Sequence, residues 1–392
     1  MSLAGMDTTI PFDAVTTSRK PRFEQVAITS IFGNPLERKT WSGAPANVAG
    51  GLARLGVDVK AIHPRRMSKL TKAGIAAGNL LAGYGRPRSS EEVLRSLAAR
   101  RRFAAGVSDA AKRLGVRHVL HMGTLDLLPQ LDAGSAIRHY LYCDHTWALA
   151  AKHHVHAPYY TRRAQEAYER AERESLDGVA HVFTFGRYVR DNLISHYGLA
   201  PDCVTAVGSG MGSIEPWYGD KDYSRPKLLF VAKHLFHAKG GLLLVEAFRR
   251  ARQRRPDLAL TIVGDQRSRT HVENCPGIEL RDHLPWEELE QLYRDSTLLV
   301  QPMLNDPWGQ VYLEAMVSRT PVMGLTRNGL PELVDGGRHG FLVDRADPDA
   351  LADAILAALS DPGRLERMAS IAQRHAVKTY SWDRVAEKIL FS

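Results

Sequence analysis

Residues 228–250 read LLFVAKHLFHAKGGLLLVEAFRR. Leu228 to Ala232 form a short apolar run that fits a buried strand. Two glycines follow, and then apolar residues recur at helical spacing through 242–253. The stretch is one strand–loop–helix unit, and it repeats. Further strand-like runs lie at 258–264, 298–302, 321–325 and 340–343, and helical patterns at 286–295, 311–317 and 349–359. Apolar strands alternating with amphipathic helices indicate parallel βαβ units covered on both faces.

The first half repeats the theme less regularly. Strands are expected at 24–31, 57–62, 117–122, 138–145, 181–185 and 203–208, with a helix at 44–56. The polar, Pro- and Gly-bearing stretch 213–227 separates the halves and reads as a linker. The expected fold class is therefore α/β, with two doubly wound domains facing across a cleft. Residues 1–213 form the first and 222–377 the second. In such sheets ligands bind beyond the carboxyl ends of the strands. Lys233 stands at one such end, and Lys239 opens the next helix. Two cations in a short βα loop suit a diphosphate.

Residues 306–317, DPWGQVYLEAMV, pose a second question, because Asp306 and Glu314 are eight apart. Pro307 fits a first helical turn and Asp306 an N-cap. Eight helical residues span roughly 12 Å, too far for a shared proton. Two readings of Asp306 stay open. It caps the helix, or it holds one end of a ligand whose other end meets Glu314. In the second case the N–H groups of Gly309, Gln310 and Val311 face a phosphate. Gly329 and Leu330 form a turn before a short helix near Glu332, another anion-friendly backbone. The glycines of AVGSGMG (206–212) miss the dinucleotide spacing and follow the wrong strand.

Composition is ordinary for a globular chain: 392 residues, 44% apolar and 24% charged. No apolar run is long enough to span a bilayer, and the N-terminus lacks the pattern of a secretory signal. Cys143, Cys203 and Cys275 are too scattered for a zinc site or a disulfide framework, which fits a reducing compartment. The net charge of +9 sits almost wholly in residues 61–120, which carry +10 while the remainder carries −1. Two readings of this charge stay open: a solvated helical face, or a peripheral contact with an anionic membrane or an acidic acceptor through residues 64–105. No nucleic-acid partner is expected, because no aromatic-interleaved or zinc-finger motif accompanies the charge.

The stretches LFVAKHLFHAKGG, DPWGQVYLEAMVSRTPV, NGLPELVDGGRHGFLV and YSWDRVAEKIL, in this order, resemble the retaining family-4 glycosyltransferases. The resemblance covers nearly all of 200–392. It implies the GT-B fold, two Rossmann-like domains, with a C-terminal helix (378–392, around Trp382) crossing back onto the first. With the scattered cysteines and the missing signal pattern, the expected location is the cytoplasm, at the inner membrane face if the basic segment makes contact. A sugar would pass from a nucleoside diphosphate sugar to a hydroxyl of a glycan, lipid-linked or small-molecule acceptor. Configuration is retained, no metal or other cofactor takes part, and a UDP-sugar is expected over a GDP-sugar.

Residue by residue, the resemblance places Asp306, where the family has the longer glutamate, at the donor sugar and Glu314 at the ribose. Lys233, replacing a frequent arginine, and Lys239 would hold the diphosphate, with one residue more between them than the family spacing. Gly329, Leu330 and Glu332 match the turn at sugar and phosphate, and Gly43 the glycine loop. His145, with Asp144 beside it, matches a histidine near the transferred sugar, and His121 is a lesser candidate for the cleft. Gly186 stands where a serine is frequent. The competing reading is a non-catalytic nucleotide-sugar-binding protein.

Overall fold

The structure is a computed structural model that describes residues 20–85, 93–152, 161–212, 214–233, 235–264, 268–282 and 284–392. Two six-stranded parallel sheets carry it. The first contains β1 (Gln25–Thr29), β2 (Asp58–Ile62), β3 (His118–Met122), β4 (Arg138–Cys143), β5 (His181–Thr184) and β6 (Val204–Ala206), in the order β2-β1-β3-β4-β5-β6. The second contains β7 (Lys227–Lys233), β8 (Ala259–Gly264), β9 (Ile278–Arg281), β10 (Leu298–Val300), β11 (Val322–Leu325) and β12 (Phe341–Val343), in the order β12-β11-β10-β7-β8-β9. The expected doubly wound α/β class is what forms. The edge strand β9 had no counterpart in the sequence reading, because its four residues, IELR, give too short a pattern.

Helices cover both sheets. In the first half they are α1 (Ala44–Arg54), α2 (Lys69–Leu81), α3 (Leu97–Leu114), α4 (Trp147–Lys152), α5 (Arg162–Leu176) and α6 (Arg187–Ser195). In the second they are α7 (Gly241–Arg254), α8 (Trp286–Asp295), α9 (Gln310–Val317), α10 (Leu330–Leu333), α11 (Pro348–Leu359), α12 (Pro362–Thr379) and α13 (Trp382–Phe391). Starts are set by local chemistry. Ser68, Ser96 and Thr161 each accept the N–H three residues on, as do Asp347, Asp361 and Ser381. Such a cap is worth about 1 kcal/mol.

One apolar core runs through both halves. It contains Val26, Leu120, Tyr142 and Phe183 from the first sheet side and Leu299, Trp308, Tyr312 and Leu330 from the second. The C-terminal α13 lies on α1: Arg54 pairs with Asp383, and Gly51 leaves room for Ala386, which a Cβ would meet at 2.7 Å. Trp382 donates from Nε1 to the Met211 carbonyl (2.7 Å). The connecting stretch is packed, with Tyr223 donating to the Arg319 carbonyl (2.8 Å) and Lys221 to Thr320 Oγ1 (2.6 Å). Burial lowers the Lys221 pKa to about 7.

The glycines of 206–212 are explained by close approach. A Cβ on Gly210 would lie 2.2 Å from Trp382, and one on Gly212 2.3 Å from Glu314 Oε1. They admit neighbours and form no dinucleotide loop. Among the described residues no helix is long and apolar enough to cross a membrane.

Candidate active site

In the second sheet the strand order reverses direction between β7 and β10. The loops that follow these two strands turn to opposite sides of the sheet, and a crevice opens between them. Lys239 lies on the first loop and Asp306 on the second. Backbone bonds knit the loops: Met303 N–H donates to the Lys239 carbonyl (2.9 Å) and Asn305 N–H to the Ala238 carbonyl (2.8 Å). Gly240, left-handed at φ 87°, lets Pro302 approach, since a Cβ there would be 2.7 Å away. Lys239 Nζ sits 3.6 Å from Asp306 Oδ2 and donates to the Val231 carbonyl (3.4 Å), with the lysine 5% exposed. The side chain of Lys233 lies outside the described part of the structure.

The capping role is corrected. Asp306 does not start the helix; left-handed Gly309 is the N-cap, and α9 begins at Gln310. Pro307 and Trp308 are therefore loop residues. The Asp306 side chain turns to Lys239, and its carbonyl accepts from Asn328 Nδ2 (3.1 Å). The backbone N–H groups of Gln310 and Val311 lie in the first turn, ahead of the helical ladder. The Gln310 side chain instead reaches the Gly210 carbonyl (3.4 Å).

Glu314 is buried and accepts from the Tyr293 hydroxyl (2.9 Å). Burial, with the Glu314 charge beside it, pushes that phenol well above its ordinary range. The other carboxylate oxygen of Glu314 faces Gly212.

The turn before α10 bends through Asn328, left-handed at φ 54°, and not through Gly329. Gly329 is required for another reason. A Cβ there would lie 2.5 Å from Trp308, and its N–H donates to the Pro307 carbonyl (3.0 Å). Leu330 is buried in the shared core. Glu332 is engaged across the cleft: its carboxylate accepts the Arg187 N–H (2.7 Å), with the guanidinium 3.5 Å away. Burial raises its pKa. Gly186 caps α6 without a side chain, because a Cβ would strike Tyr188 (2.7 Å) and Trp308 (2.8 Å). Glu332 supplies the acceptor that a serine would otherwise offer.

The first sheet has its own reversal, between β1 and β3. The loops after those strands, with the end of β4, enclose a cavity of about 220 Å³. Trp41, Arg95, Arg100, Thr124, Asp144 and His145 line it from the first half, and Asn305 and Pro307 close it from the second. Trp41 (φ 43°), Ser42 (φ 54°) and Gly43 (φ 83°) are three successive left-handed residues at the start of α1. Such a conformation costs a non-glycine residue of order 1–3 kcal/mol. Packing holds Trp41 there, 5.5 Å from the Phe185 ring.

The cavity's electrostatics follow from burial. Arg100 is 2% exposed and donates from Nη1 to the Thr124 carbonyl (3.2 Å) and Ser175 Oγ (3.3 Å). Burial lowers its pKa, and Glu172 opposes that shift. Glu172 accepts from the Trp147 N–H (2.6 Å) and Thr124 Oγ1 (3.3 Å). Burial, reinforced by the Asp306 carboxylate across the cleft, pushes Asp144 up to about 7. Tyr188 donates its hydroxyl to both the Asp144 carbonyl (2.9 Å) and the Pro307 carbonyl (2.7 Å), joining the halves at that point.

The lesser candidate, His121, is 1% exposed and away from the cavity, bonded to Asp126 (3.1 Å) and His139 (2.9 Å). Arg100 and Glu172 escaped the sequence reading. Their signal was periodicity: Arg100 shares the buried stripe of α3 with Phe103, Val107 and Ala111. A cation on an apolar stripe is a buried cation that needs partners. Among the described residues no group of three His, Cys, Asp or Glu side chains is placed to hold a metal.

Residues 225–361, which hold the whole of the second sheet and helices α7 to α11, match the glycosyl transferases group 1 family. Over 93% of its length the chain is 27% identical to the D-inositol 3-phosphate glycosyltransferase of Corynebacterium diphtheriae, spanning 93% of that protein. The second half therefore carries a glycosyl transferases group 1 domain. The chain is an enzyme that uses a nucleotide-sugar donor. Solved structures share the GT-B fold. Sucrose-phosphate synthase from Thermosynechococcus elongatus aligns with a TM-score of 0.71 at 18% identity, covering 93% of this chain and 97% of that one. Anabaena HepE in complex with UDP-glucose aligns at 0.62 and 14%, covering 93% and 98%.

Proposed function

We propose that this group 1 glycosyltransferase moves a sugar, with retained configuration and without a metal, from a UDP-sugar to a hydroxyl of a small anionic acceptor. The observation that carries the reading is the pairing of Lys239 with Asp306 at the crevice of the second sheet, facing an arginine-lined cavity in the first. Lys239 holds the leaving diphosphate, and Lys233, at the end of β7, is the second cation. Asp306 meets the donor sugar and Glu314 the ribose.

The bond between the anomeric carbon and the donor phosphate oxygen breaks, and the diphosphate leaves with the electron pair. The acceptor hydroxyl attacks from the same face and gives its proton to a donor phosphate oxygen. The protein contributes positioning and charge stabilisation. His145 stands at the cavity beside the transferred sugar. The acceptor's anionic group fits Arg95 and Arg100. A relative named as acting on D-inositol 3-phosphate supports an anionic polyol. The solved complex of HepE with UDP-glucose supports uridine.

A thermal-shift screen of UDP, GDP and ADP and their sugars tests the donor, since a ligand held only by the folded state raises stability. Among the three nucleotides UDP is expected to give the largest shift, Lys239→Ala to abolish it, and Asp306→Ala to remove the further shift that the sugar adds. NMR of the product made with a chelator present reads configuration and metal dependence. An inverted product, loss of turnover with chelator, or full activity in both variants would overturn the assignment.

A further inference from the structure

We propose that α2 and the loop before it dock this enzyme onto an anionic lipid bilayer. Three of its leucines are solvent-facing: Leu70 is 86% exposed, Leu80 56% and Leu81 90%. They are not scattered. At about 100° per residue, Leu70, Ala73, Ala77, Leu80 and Leu81 fall on one arc. That arc is the exposed one, while the side turned to the protein carries Thr71, Lys72, Ile75 and Asn79. A surface helix of a globular protein shows the reverse. Here the apolar face points outward, with the polar Asn79 buried beneath it.

The charge around this face selects the occupant. Residues 64–85 contain Arg65, Arg66, Lys69 and Lys72 and no Asp or Glu. None of the four has an ion-pair partner among the described residues, and the first turn of α2 holds no acid. The positive end of the helix dipole therefore adds to the cations. A second copy of the chain would set these cations against themselves across a two-fold axis. Nucleic acid would call for stacking aromatics, which the arc lacks. Leucines framed by unpaired cations fit lipid tails beneath anionic headgroups.

The location gives the contact a purpose. Ile75 of α2 packs on the cluster of Met67, Ala99 and Phe103, as do Ile31 and Leu94, the chain neighbours of Phe32 and Arg95, which line the acceptor cavity. At the other end Gly83 accepts from Thr161 Oγ1 (2.9 Å), fixing α2 beside α5. Docking through α2 sets the mouth of the cavity at the lipid surface. The inference does not depend on the acceptor assignment.

The full chain is floated with vesicles of phosphatidylcholine alone and with about a third phosphatidylglycerol. It is expected to float with the anionic vesicles only, and to be released when salt shortens the Debye length to about 3 Å near 1 M. Replacing Arg65, Arg66 and Lys69 by serine is expected to weaken partitioning roughly a hundred-fold, at about tenfold or less per cation. Leu70→Ser with Leu81→Ser is expected to weaken it as well. All five side chains are exposed, so melting temperatures report folding, and the salt release of the unaltered chain stands independently of the variants. Equal flotation with both vesicles, or unaltered binding by folded variants, would overturn the proposal. So would a dimer in light scattering that Leu70→Ser with Leu81→Ser dissolves, since the face would then belong to a second copy.

Discussion

Asp144 lies where the two halves of the enzyme meet, and its protonation offers a direct test of the cleft. Burial first, then the Asp306 carboxylate opposite, lift its pKa from 3.8 to about 7. The folded state therefore favours the neutral acid. The stability that this proton supplies is fully present below pH 3.8, fades as pH rises, and is gone above about 7. At 1.36 kcal/mol per pH unit the whole interval is worth about 4 kcal/mol. Asp144 keeps part of its surface open to the cavity, so screening by water leaves about half, ~2 kcal/mol. Asp144→Asn mimics the neutral acid. It is expected to stabilise the protein by about 2 kcal/mol at pH 8 and by almost nothing at pH 4. With ~2.1 cal/mol/K of unfolding entropy per residue, the gain at pH 8 is about 2–3 °C in Tm. Urea unfolding of both chains at several pH values measures it. Asp306→Asn removes the opposing charge, so in that background the gain at pH 8 shrinks. A gain independent of pH, or unchanged by Asp306→Asn, would refute the argument that these two carboxylates face each other.

Two further outcomes follow from the geometry. Gly212→Ala sets a methyl group 2.3 Å from Glu314 Oε1, so it is expected to raise the KM for the donor at least tenfold and lower Tm. Gly106→Ala, on α3 with nothing within 4 Å, is expected to leave KM alone and to add up to about 1 kcal/mol of stability. His139 and His181 are held neutral, their pKa values pushed from 6.5 down to about 4 by burial, with the neighbouring His121 and Arg22 adding to it respectively. Unfolded histidine binds its proton below about 6.5, so stability falls as pH drops from there to 4, by roughly 1–3 kcal/mol per group. Proton uptake on unfolding at pH 5, read as the slope of stability against pH, checks this, and His139→Gln flattens it.

The second half was legible because its signals are local. Leu228–Ala232 is apolar and bounded, the glycines at 240 and 241 punctuate it, and the following helix keeps a clean period. The first half hides its site in relations that no window contains. Arg100 reads as one of three arginines in a row, and only the stripe it shares with Phe103 marks it as buried. Asp144 meets Asp306 from 162 positions away in the chain. Asp306 misled for a physical reason. Asp-Pro is a good helix start in isolation, but Trp308 must reach across to Ser209 Oγ (2.6 Å), and that demand delays the helix to Gln310. Glu332 had two local readings, dipole partner or ligand contact, and neither names the Arg187 N–H across the cleft.

The loop after β10, on one side of the crevice, and the turn before α10 also join the halves. Pro307 accepts from Tyr188 of the first half and from Gly329 of the second, beside the carboxylate of Asp306. Trp308 bonds Ser209 and packs edge-on to Phe185 (6.0 Å) and Tyr380 (6.2 Å). Glu332 follows the Gly329 turn by three residues and holds α6. A donor that orders residues 306–309 and 328–330 therefore acts on the same atoms that set the distance between the sheets. Each loss at Tyr188, Trp308 or Glu332 removes a bond worth about 1 kcal/mol to the closed arrangement. It also loosens the Gly329 turn, which is proposed to meet the sugar. For this reason substitutions there should change donor KM and kcat together, whereas a residue that only touched the donor would change KM alone.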